Sequence, residues 1–245
     1  MRLGITFSVL FYLAAILLVV GLLHRILVYA RTPAPLVIPT TPAPTTRVGV
    51  VGRMAREVVF FESLFKGNKW TWLFGWLFHF GMLLVALEHL RYFTEPVWAW
   101  VSAIQWLGVY GGIAMFVGLS GLWIRRVLVD RVRYISAPSD HLMLALLIGI
   151  AGSGLAMVYV LPTDIVALKI FALGLVTFSW QPLPADPLLM AHLGLTVFLL
   201  IIFPFSKLLH APGVFFSPTR NMVDSPRERR HSKRWHSELD ARRKL

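Results

Sequence analysis

The chain has 245 residues, of which 57% are apolar and 15% are charged, against about 45–50% and about 25% in ordinary soluble domains. This composition excludes a soluble enzyme with polar surfaces on all sides. It also excludes disorder, because so much apolar surface must be buried. The net charge is +12 and the sequence contains no cysteine. Disulfides, thiolate metal sites, cysteine-bound iron–sulfur clusters and covalently attached haem are therefore excluded.

Five apolar stretches are long enough to cross the ~30 Å hydrocarbon core of a membrane as helices. They run from about 3 to 28, 70 to 90, 97 to 124, 141 to 160 and 187 to 209. The first is too long for a signal peptide and has no small-residue cleavage site before His24, so we expect a retained helix. Asp186 before Pro187 is a plausible N-cap of the last. The sequence therefore predicts an all-α integral membrane protein with five transmembrane helices.

The chain divides into four predicted regions. The first transmembrane helix occupies 1–30, a cytoplasmic linker 31–69, a four-helix membrane region 70–210, and a basic cytoplasmic tail 211–245. The linker opens with a Pro- and Thr-rich strip, which is typical of an extended segment. Its later part, 50–66, mixes charged and large apolar residues, which favours an amphipathic helix lying in the membrane interface.

Lysine and arginine are distributed unevenly between the predicted helices. Six lie in 31–69, four in 125–133 and ten in the tail from Lys207, whereas Arg2, Arg91 and Lys169 lie on the other side. Because positively charged loops stay in the cytoplasm, we predict that the N-terminus is outside and the C-terminus is cytoplasmic. This multi-pass topology in the cell inner membrane explains the net charge without a nucleic-acid partner.

Four histidines lie in only two of the predicted helices: His79 and His89 in the second, and His192 and His210 in the fifth. Ionisable residues inside a membrane are costly and usually functional. The two helices run antiparallel, which pairs His89 with His192 toward the outside and His79 with His210 toward the cytoplasm. Two neutral imidazoles from facing helices are what a low-spin b-type haem needs as axial ligands. We therefore predict a haem-binding bundle that holds two haems b through their iron.

The two histidines of each helix are separated by different heights, which complicates this pairing. His79 and His89 are ~15 Å apart in height, but His192 and His210 would be ~27 Å apart in a straight helix. We expect tilt and a bend at Pro204 to absorb part of the difference. Glycines 75, 81 and 194 make room for a macrocycle or serve as packing sites. Aromatic residues between Trp70 and Phe80 line the apolar faces of the macrocycle or form an interfacial belt.

The residues around these histidines resemble the respiratory nitrate reductase gamma-subunit family. Its second helix is similar to 77–81 (LFHFG) followed by Glu88-His89, and its fifth to 191–194 (AHLG) followed by 203–210, with the spacing of eighteen included. The resemblance implies that His89 and His192 bind the outer haem and that His79 and His210 bind the cytoplasmic-side haem. That family also has a lysine after the second helix that helps the quinol site, whereas 92–124 here contains no lysine or arginine.

Within this superfamily, the Pro/Thr linker and the tail residues 216–221, 224 and 226–228 are most similar to the DsrM family. Its members are cytochrome b subunits of DsrMKJOP complexes of dissimilatory sulfur metabolism. The resemblance implies a cytoplasmic iron–sulfur partner, DsrK, which works on the disulfide or trisulfide carrier DsrC, together with DsrJ-, DsrO- and DsrP-like subunits. The alternatives are a nitrate reductase gamma subunit and another heterodisulfide-reductase-type cytochrome b.

Charged and aromatic groups surround His89: Glu88, Arg91, Tyr92 and Glu95. A carboxylate or tyrosine within reach of the ring oxygens would relay the protons of a quinone, so we predict a quinone site here. These groups would otherwise anchor the helix end at the headgroups. We expect electrons to pass between the quinone pool and the cytoplasmic partner, in either direction, which makes the chain an electron-transfer subunit of a quinone-linked oxidoreductase complex.

Two further readings stay open. His24 and His141 are expected to be polar groups near helix ends, with a third haem as the alternative. His231 and His236 fall in the solvated basic tail. In a different class of protein, a haem-free membrane anchor, the histidines would only join helices by hydrogen bonds.

Overall fold

A computed structural model describes residues 1–33 and 41–224 of the chain. Part of the Pro- and Thr-rich strip, the tail residues 226–228 and the histidines at 231 and 236 lie outside the described residues. The α-helices are α1 Arg2–Arg31, α2 Arg47–Phe60, α3 Glu62–Gly67, α4 Lys69–His89, α5 Ala99–Leu128, α6 Asp130–Tyr134, α7 Pro138–Tyr159, α8 Ile165–Val176, α9 Pro187–Ile202, α10 His210–Gly213 and α11 Pro218–Asn221. Short 3-10 segments cover Leu90–Tyr92, Phe203–Phe205, Lys207–Leu209 and Val214–Phe216.

Five helices are long and apolar enough to cross a membrane, as the sequence predicts: α1, α4, α5, α7 and α9. Large apolar side chains cover their outward surfaces. Ile16 on α1 is 60% exposed and Leu142 on α7 is 71% exposed. A soluble domain rarely exposes apolar surface on this scale, but side chains that face lipid tails need no protein cover.

The chain divides into two compact units. The first consists of Met1–Gly21 and Ser63–Ser206, and the second of Leu22–Glu62 and Lys207–Leu245. Three of the four predicted haem ligands, His79, His89 and His192, belong to the first unit. His24 and His210 belong to the second.

In the first unit, the membrane helices pack in chain order, α4 on α5, α5 on α7 and α7 on α9. The α4–α5 crossing depends on glycine. A Cβ at Gly81 would lie 2.6 Å from the backbone nitrogen of Met115, and one at Gly118 would lie 2.6 Å from that of Phe78. Gly81 is thus a packing glycine rather than room for a macrocycle, whereas a Cβ at Gly194 would meet no atom within 4 Å.

A buried apolar cluster fills the space between α4, α5 and α7. Its members are Phe78, Met115, Leu119, Leu144, Leu147 and Ala151. The cluster holds these three helices together, and its Phe78 lies beside His79. It is the larger of two buried clusters in the described part of the chain.

Helix α9 begins as predicted and ends earlier than predicted. The Asp186 carboxylate accepts hydrogen bonds from the backbone nitrogens of Leu188, at 2.9 Å, and Leu189, at 3.3 Å. At the other end, regular helix stops at Ile202 and gives way to the 3-10 turn that contains Pro204. Ten residues of α-helix after His192 rise ~15 Å, the same height as the ten residues between His79 and His89. The expected interruption at Pro204 is present, so the ~27 Å rise of a straight helix as far as His210 does not apply.

Residues 161–186, which join α7 to α9, form an element that the sequence analysis left undescribed. The 12-residue apolar helix α8 packs on the 3-10 turn Leu90–Tyr92 that follows α4. Its Phe171 is buried with Leu183 and Leu189, against side chains from the start of α1. The connection therefore packs directly beside the turn that follows His89.

The four arginines of the predicted 125–133 loop lie mainly in helices. Arg125 and Arg126 belong to the last turns of α5, and Arg131 and Arg133 belong to α6. The stretch 47–67 forms α2, which Thr46 caps, and α3; α2 belongs to the second unit, whereas α3 belongs to the first unit from Ser63 onward. Phe61 separates these two helices with a φ of 51°.

Candidate functional site

The two histidines of α4 are held in the same way. His79 Nδ1 lies 2.7 Å from the carbonyl oxygen of Gly75, and His89 Nδ1 lies 2.7 Å from that of Val85. A carbonyl oxygen accepts hydrogen bonds only, so Nδ1 must carry the proton in each neutral ring. The lone pair then resides on Nε2, which is the nitrogen that a metal can bind.

His192 on α9 has the same tautomer for a different reason. Its Nδ1 lies 2.9 Å from the hydroxyl oxygen of Ser153 on α7. That hydroxyl is itself 2.7 Å from the Gly149 carbonyl oxygen and 3.1 Å from that of Ile150. A serine hydroxyl has one proton, which goes to a carbonyl, so the oxygen accepts the proton of His192 Nδ1. His192 also keeps its lone pair on Nε2.

His210 repeats the pattern in the second unit. Its Nδ1 lies 2.8 Å from the carbonyl oxygen of Lys207, so Nδ1 is again the donor. Metal-binding histidines usually donate their other ring N–H to a carbonyl, carboxylate or similar group, which fixes the ring and strengthens its basicity. All four predicted ligands therefore fit the requirements of an axial haem ligand.

His141 has the opposite arrangement. The indole nitrogen of Trp123 donates to His141 Nδ1 at 3.0 Å, and an indole nitrogen can only donate. Nδ1 of His141 is therefore the acceptor, and Nε2 carries the proton. This hydrogen bond ties α5 to α7 beside an open cavity that is also lined by Arg133 and Ser136. His141 is thus a packing histidine, and His24 on α1 is exposed.

His89 ends α4 and His192 lies in the second turn of α9, and both belong to the first unit. In the described residues, no group of three or more His, Asp or Glu side chains is arranged to hold a bare metal ion. Haem iron does not need such a group, because the porphyrin supplies four nitrogens and the protein supplies only the axial ligands.

The predicted charged group beside His89 is assembled in part. Glu88 accepts a hydrogen bond from Arg91 at 3.1 Å, and its other carboxylate oxygen lies 3.4 Å from His89 Nδ1. The Tyr92 ring stands edge-on to His89 with 5.6 Å between ring centroids. Gly108 on α5 makes this possible, because a Cβ there would lie 2.6 Å from Glu88 Cγ.

Glu95, the fourth predicted member, is engaged elsewhere. It forms an ion pair with Lys169 of α8, and its side chain is 62% exposed against 15% for Glu88. Lys169 was counted only toward membrane orientation, although it is the one charged residue in an apolar stretch. Ser153 was missed altogether, and the glycines on either side of it are the only signal that the sequence offers.

The aromatic residues of α4 divide between two roles. Trp72 stacks on Trp76, and Trp76 stacks on Phe80 with ring centroids 4.8 Å apart, along one side of the helix. Phe78 is buried in the core cluster and lies 4.5 Å from the ring of His79. Trp70 is 65% exposed, as expected for a residue of an interfacial belt.

Five long apolar helices in the described part of the chain, with His79 and His89 on the second and His192 on the fifth, define a helical membrane protein. Residues 63–230 match the family model described as nitrate reductase gamma subunit. The chain belongs to this family, and it is accordingly a multi-pass membrane subunit of cytochrome b type that transfers electrons within a larger complex.

Relatives from archaea and bacteria agree with this assignment. An "Hdr-like menaquinol oxidoreductase cytochrome b-like subunit" from Archaeoglobus fulgidus is 37% identical over 95% of this chain and 84% of the relative. A protein of the same name from Archaeoglobus profundus is 34% identical over 91% of this chain and 80% of the relative. The "Respiratory nitrate reductase 2 gamma chain" of Escherichia coli is 32% identical over 62% of this chain and 76% of that protein.

Proposed function

We propose that the chain is a dihaem cytochrome b that oxidises menaquinol and passes the electrons to a cytoplasmic iron–sulfur subunit. The observation that carries the proposal is the common tautomer of four histidines, each with Nδ1 bonded to an acceptor. His141, which the family resemblance does not include, has the other tautomer. When bound, the haems carry single electrons across the membrane.

The two haems are assigned to the pairs given by matching depth. His89 and His192 hold the outer haem, supported by their place in the same compact unit. His79 and His210 hold the inner haem, and His79 lies ~15 Å from His89 along α4, which separates the two haems in depth. We propose the topology that the basic residues predict, with the N-terminus outside and His89 toward the outer face.

Menaquinol is oxidised beside the outer haem in this proposal. Each menaquinol releases two electrons and two protons, and a carboxylate within reach of its hydroxyls must take up protons. Glu88 is suited to this, because Arg91 and His89 hold its carboxylate in a half-buried position. Tyr92 would orient the quinol ring, and the Glu95–Lys169 pair would fix α8 over the adjacent turn.

The electrons must leave to another protein, because the chain contains no cysteine for an iron–sulfur cluster of its own. We propose a DsrK-like iron–sulfur subunit in a complex with DsrJ-, DsrO- and DsrP-like subunits of sulfur metabolism. Two relatives are named as subunits of Hdr-like menaquinol oxidoreductases, which supports an iron–sulfur partner of heterodisulfide-reductase type. A nitrate reductase partner is the second candidate, supported by the Escherichia coli relative.

Purification of the tagged chain from its native membranes distinguishes these partners. An iron–sulfur subunit of heterodisulfide-reductase type that co-purifies and is reduced by menaquinol supports the proposal. A molybdenum-containing nitrate reductase in its place would move the assignment to the second candidate.

The quinone site is tested by the rate at which a menaquinol analogue reduces the haems. We expect Glu88→Gln to slow this reduction by about 10²-fold, the lower end of the range for general acid–base catalysis. Asp130→Asn, which removes an exposed carboxylate from α6, is the matched control and should leave the rate unchanged. Full rates in both Glu88→Gln and Glu95→Gln would show that the site is wrong.

A further inference from the structure

We infer that Ser153 is a positioning residue for the outer haem: its hydroxyl accepts the proton of His192 Nδ1, sets the rotation of the ring and strengthens Nε2 as an axial ligand. Ser153 lies on α7, which carries none of the four proposed ligands. The inference rests on the proposed function, and the experiments below separate the failure of one from the failure of the other.

The hydroxyl of Ser153 is fixed as an acceptor toward His192. It lies within hydrogen-bond distance of two carbonyl oxygens in the preceding turn of its own helix. This back-bonding is common for serine inside helices and occupies the hydroxyl proton. A remaining lone pair of the oxygen accepts a hydrogen bond from His192 Nδ1, which is 2.9 Å away.

The backbone of α7 also limits where the ring can go. A Cβ at Gly154 would lie 3.4 Å from His192 Cε1, so the ring rests against a residue with no side chain. A Cβ at Gly149 would lie 3.3 Å from Leu195, one turn along α9 from the histidine. The ring is therefore bounded by backbone on one side and tied by a hydrogen bond on the other.

This support differs from that of the other proposed ligands. His79, His89 and His210 are bonded to carbonyls in their own chain segments, three or four residues earlier. His192 is bonded to the Ser153 side chain, 39 residues away, and also interacts with the backbone of Ile150 on the same helix. Its orientation therefore depends on how α7 and α9 pack, and a single substitution can remove the Ser153 hydroxyl without changing a ligand.

A hydrogen bond accepted from Nδ1–H gives the imidazole more anionic character, which favours ferric over ferrous iron. Loss of one hydrogen bond of ordinary strength should change the ferric-to-ferrous ratio of the outer haem about fivefold at a fixed potential. By the one-electron factor of about 59 mV per tenfold, this is a shift of about 40 mV. The midpoint potential of the outer haem should rise, and that of the inner haem should stay unchanged.

The test compares Ser153→Ala with Thr196→Val in the purified full-length protein. Thr196 is the matched control, because its hydroxyl bonds the backbone oxygen of His192 and not the ring. Redox titration should show a raised outer-haem potential in Ser153→Ala alone. The low-spin EPR signal of the same haem should shift, since the ring loses a constraint on its rotation. Ser153→Thr, which keeps the hydroxyl, should restore both signals.

Two results would overturn the inference. One is an outer-haem potential and EPR signal in Ser153→Ala that match the wild type. The other is an equal shift in Thr196→Val. If Ser153→Ala loses the outer haem, retention by Ser153→Thr supports the inference and loss by both variants overturns it. Normal haem content with unresponsive Ser153 variants leaves the proposed function standing, whereas a wild-type protein without haem removes the proposed function itself.

Discussion

The two histidines of α4, His79 at its middle and His89 at its C-terminal end, have the same local geometry in different surroundings. Each ring donates from Nδ1 to the carbonyl four residues earlier. His79 lies against the buried Phe78, on a helix segment of stacked aromatic rings. His89 lies beside a carboxylate, a guanidinium and a phenol, from Glu88, Arg91 and Tyr92.

This difference shows that metal access and proton exchange are controlled by different groups. The helix backbone determines which nitrogen of a histidine is available to a metal, and it does so in the same way at His79 and at His89. The neighbouring side chains decide whether protons can be exchanged there. Only a haem placed beside proton-accepting groups is suited to quinol oxidation, so we assign that step to the His89 end and electron delivery to the other.

Removal of the proposed ligands should have the largest effect on haem content. It tests the feature that His79 and His89 share, which is their proposed role as axial ligands. Each of His79→Ala, His89→Ala, His192→Ala and His210→Ala should lower the haem content from about two to about one per chain, because bis-histidine coordination needs both partners. A pyridine haemochrome assay measures the content. His141→Ala is the control and should retain both haems. Loss of haem from that variant would contradict the tautomer argument.

A change at Gly108 tests the role of the charged groups beside His89. In Gly108→Val the added side chain would displace Glu88 from its place beside Arg91. We expect slower haem reduction by a menaquinol analogue, about tenfold, with haem content unchanged. Gly52→Val, in open space on α2, is the control. If Glu88 is displaced and the rate of haem reduction is unaltered, that carboxylate has no role in menaquinol oxidation.

Gly81, which lies between the two histidines of α4, should respond differently. In Gly81→Ala the Cβ would meet the backbone of α5 and push the helices apart. Overpacking of this kind typically costs about 1–3 kcal/mol of unfolding free energy. Unfolding in detergent measures it, with Gly194→Ala as the uncrowded comparison. Equal stability of the two variants would show that α4 and α5 do not cross as closely as described.

The start of α9 should give the smallest effect. Asp186→Ala removes an N-cap that the helix carrying His192 uses, so the melting temperature should fall slightly. The hydrogen bond from Thr163 lowers the pKa of Asp186 in the folded protein. Its stabilising contribution is therefore present above the ordinary carboxyl pKa and is lost as the pH falls through the folded value. A difference in melting temperature between the wild type and the variant that increased below pH 4 would contradict this.

Much of the fold could be predicted because the membrane imposes it. A helix that crosses hydrocarbon must be long, apolar and internally hydrogen-bonded, so composition locates five helices directly. The cap at Asp186 was predictable because proline and a carboxylate define it locally. The early end of α9 was harder, since Pro204 indicates a break but not how many residues of helix precede it.

The candidate ligands could be named from the sequence, but the groups that support them could not. Histidines inside membrane helices stand out in composition, whereas Ser153 is an ordinary small residue whose importance comes from packing across helices. The Glu95–Lys169 pair depends on α8, an element in a connection with no charge pattern of its own. The role of His141 depends on Trp123, 18 residues earlier, which no local pattern indicates.

The most direct test of the account is the haem content of the purified wild-type chain, measured by the pyridine haemochrome assay together with a reduced-minus-oxidised spectrum. The account predicts about two haems b per chain, with the α-band of bis-histidine low-spin iron. A well-folded preparation without haem would contradict it and leave the chain as a membrane anchor whose histidines only join helices.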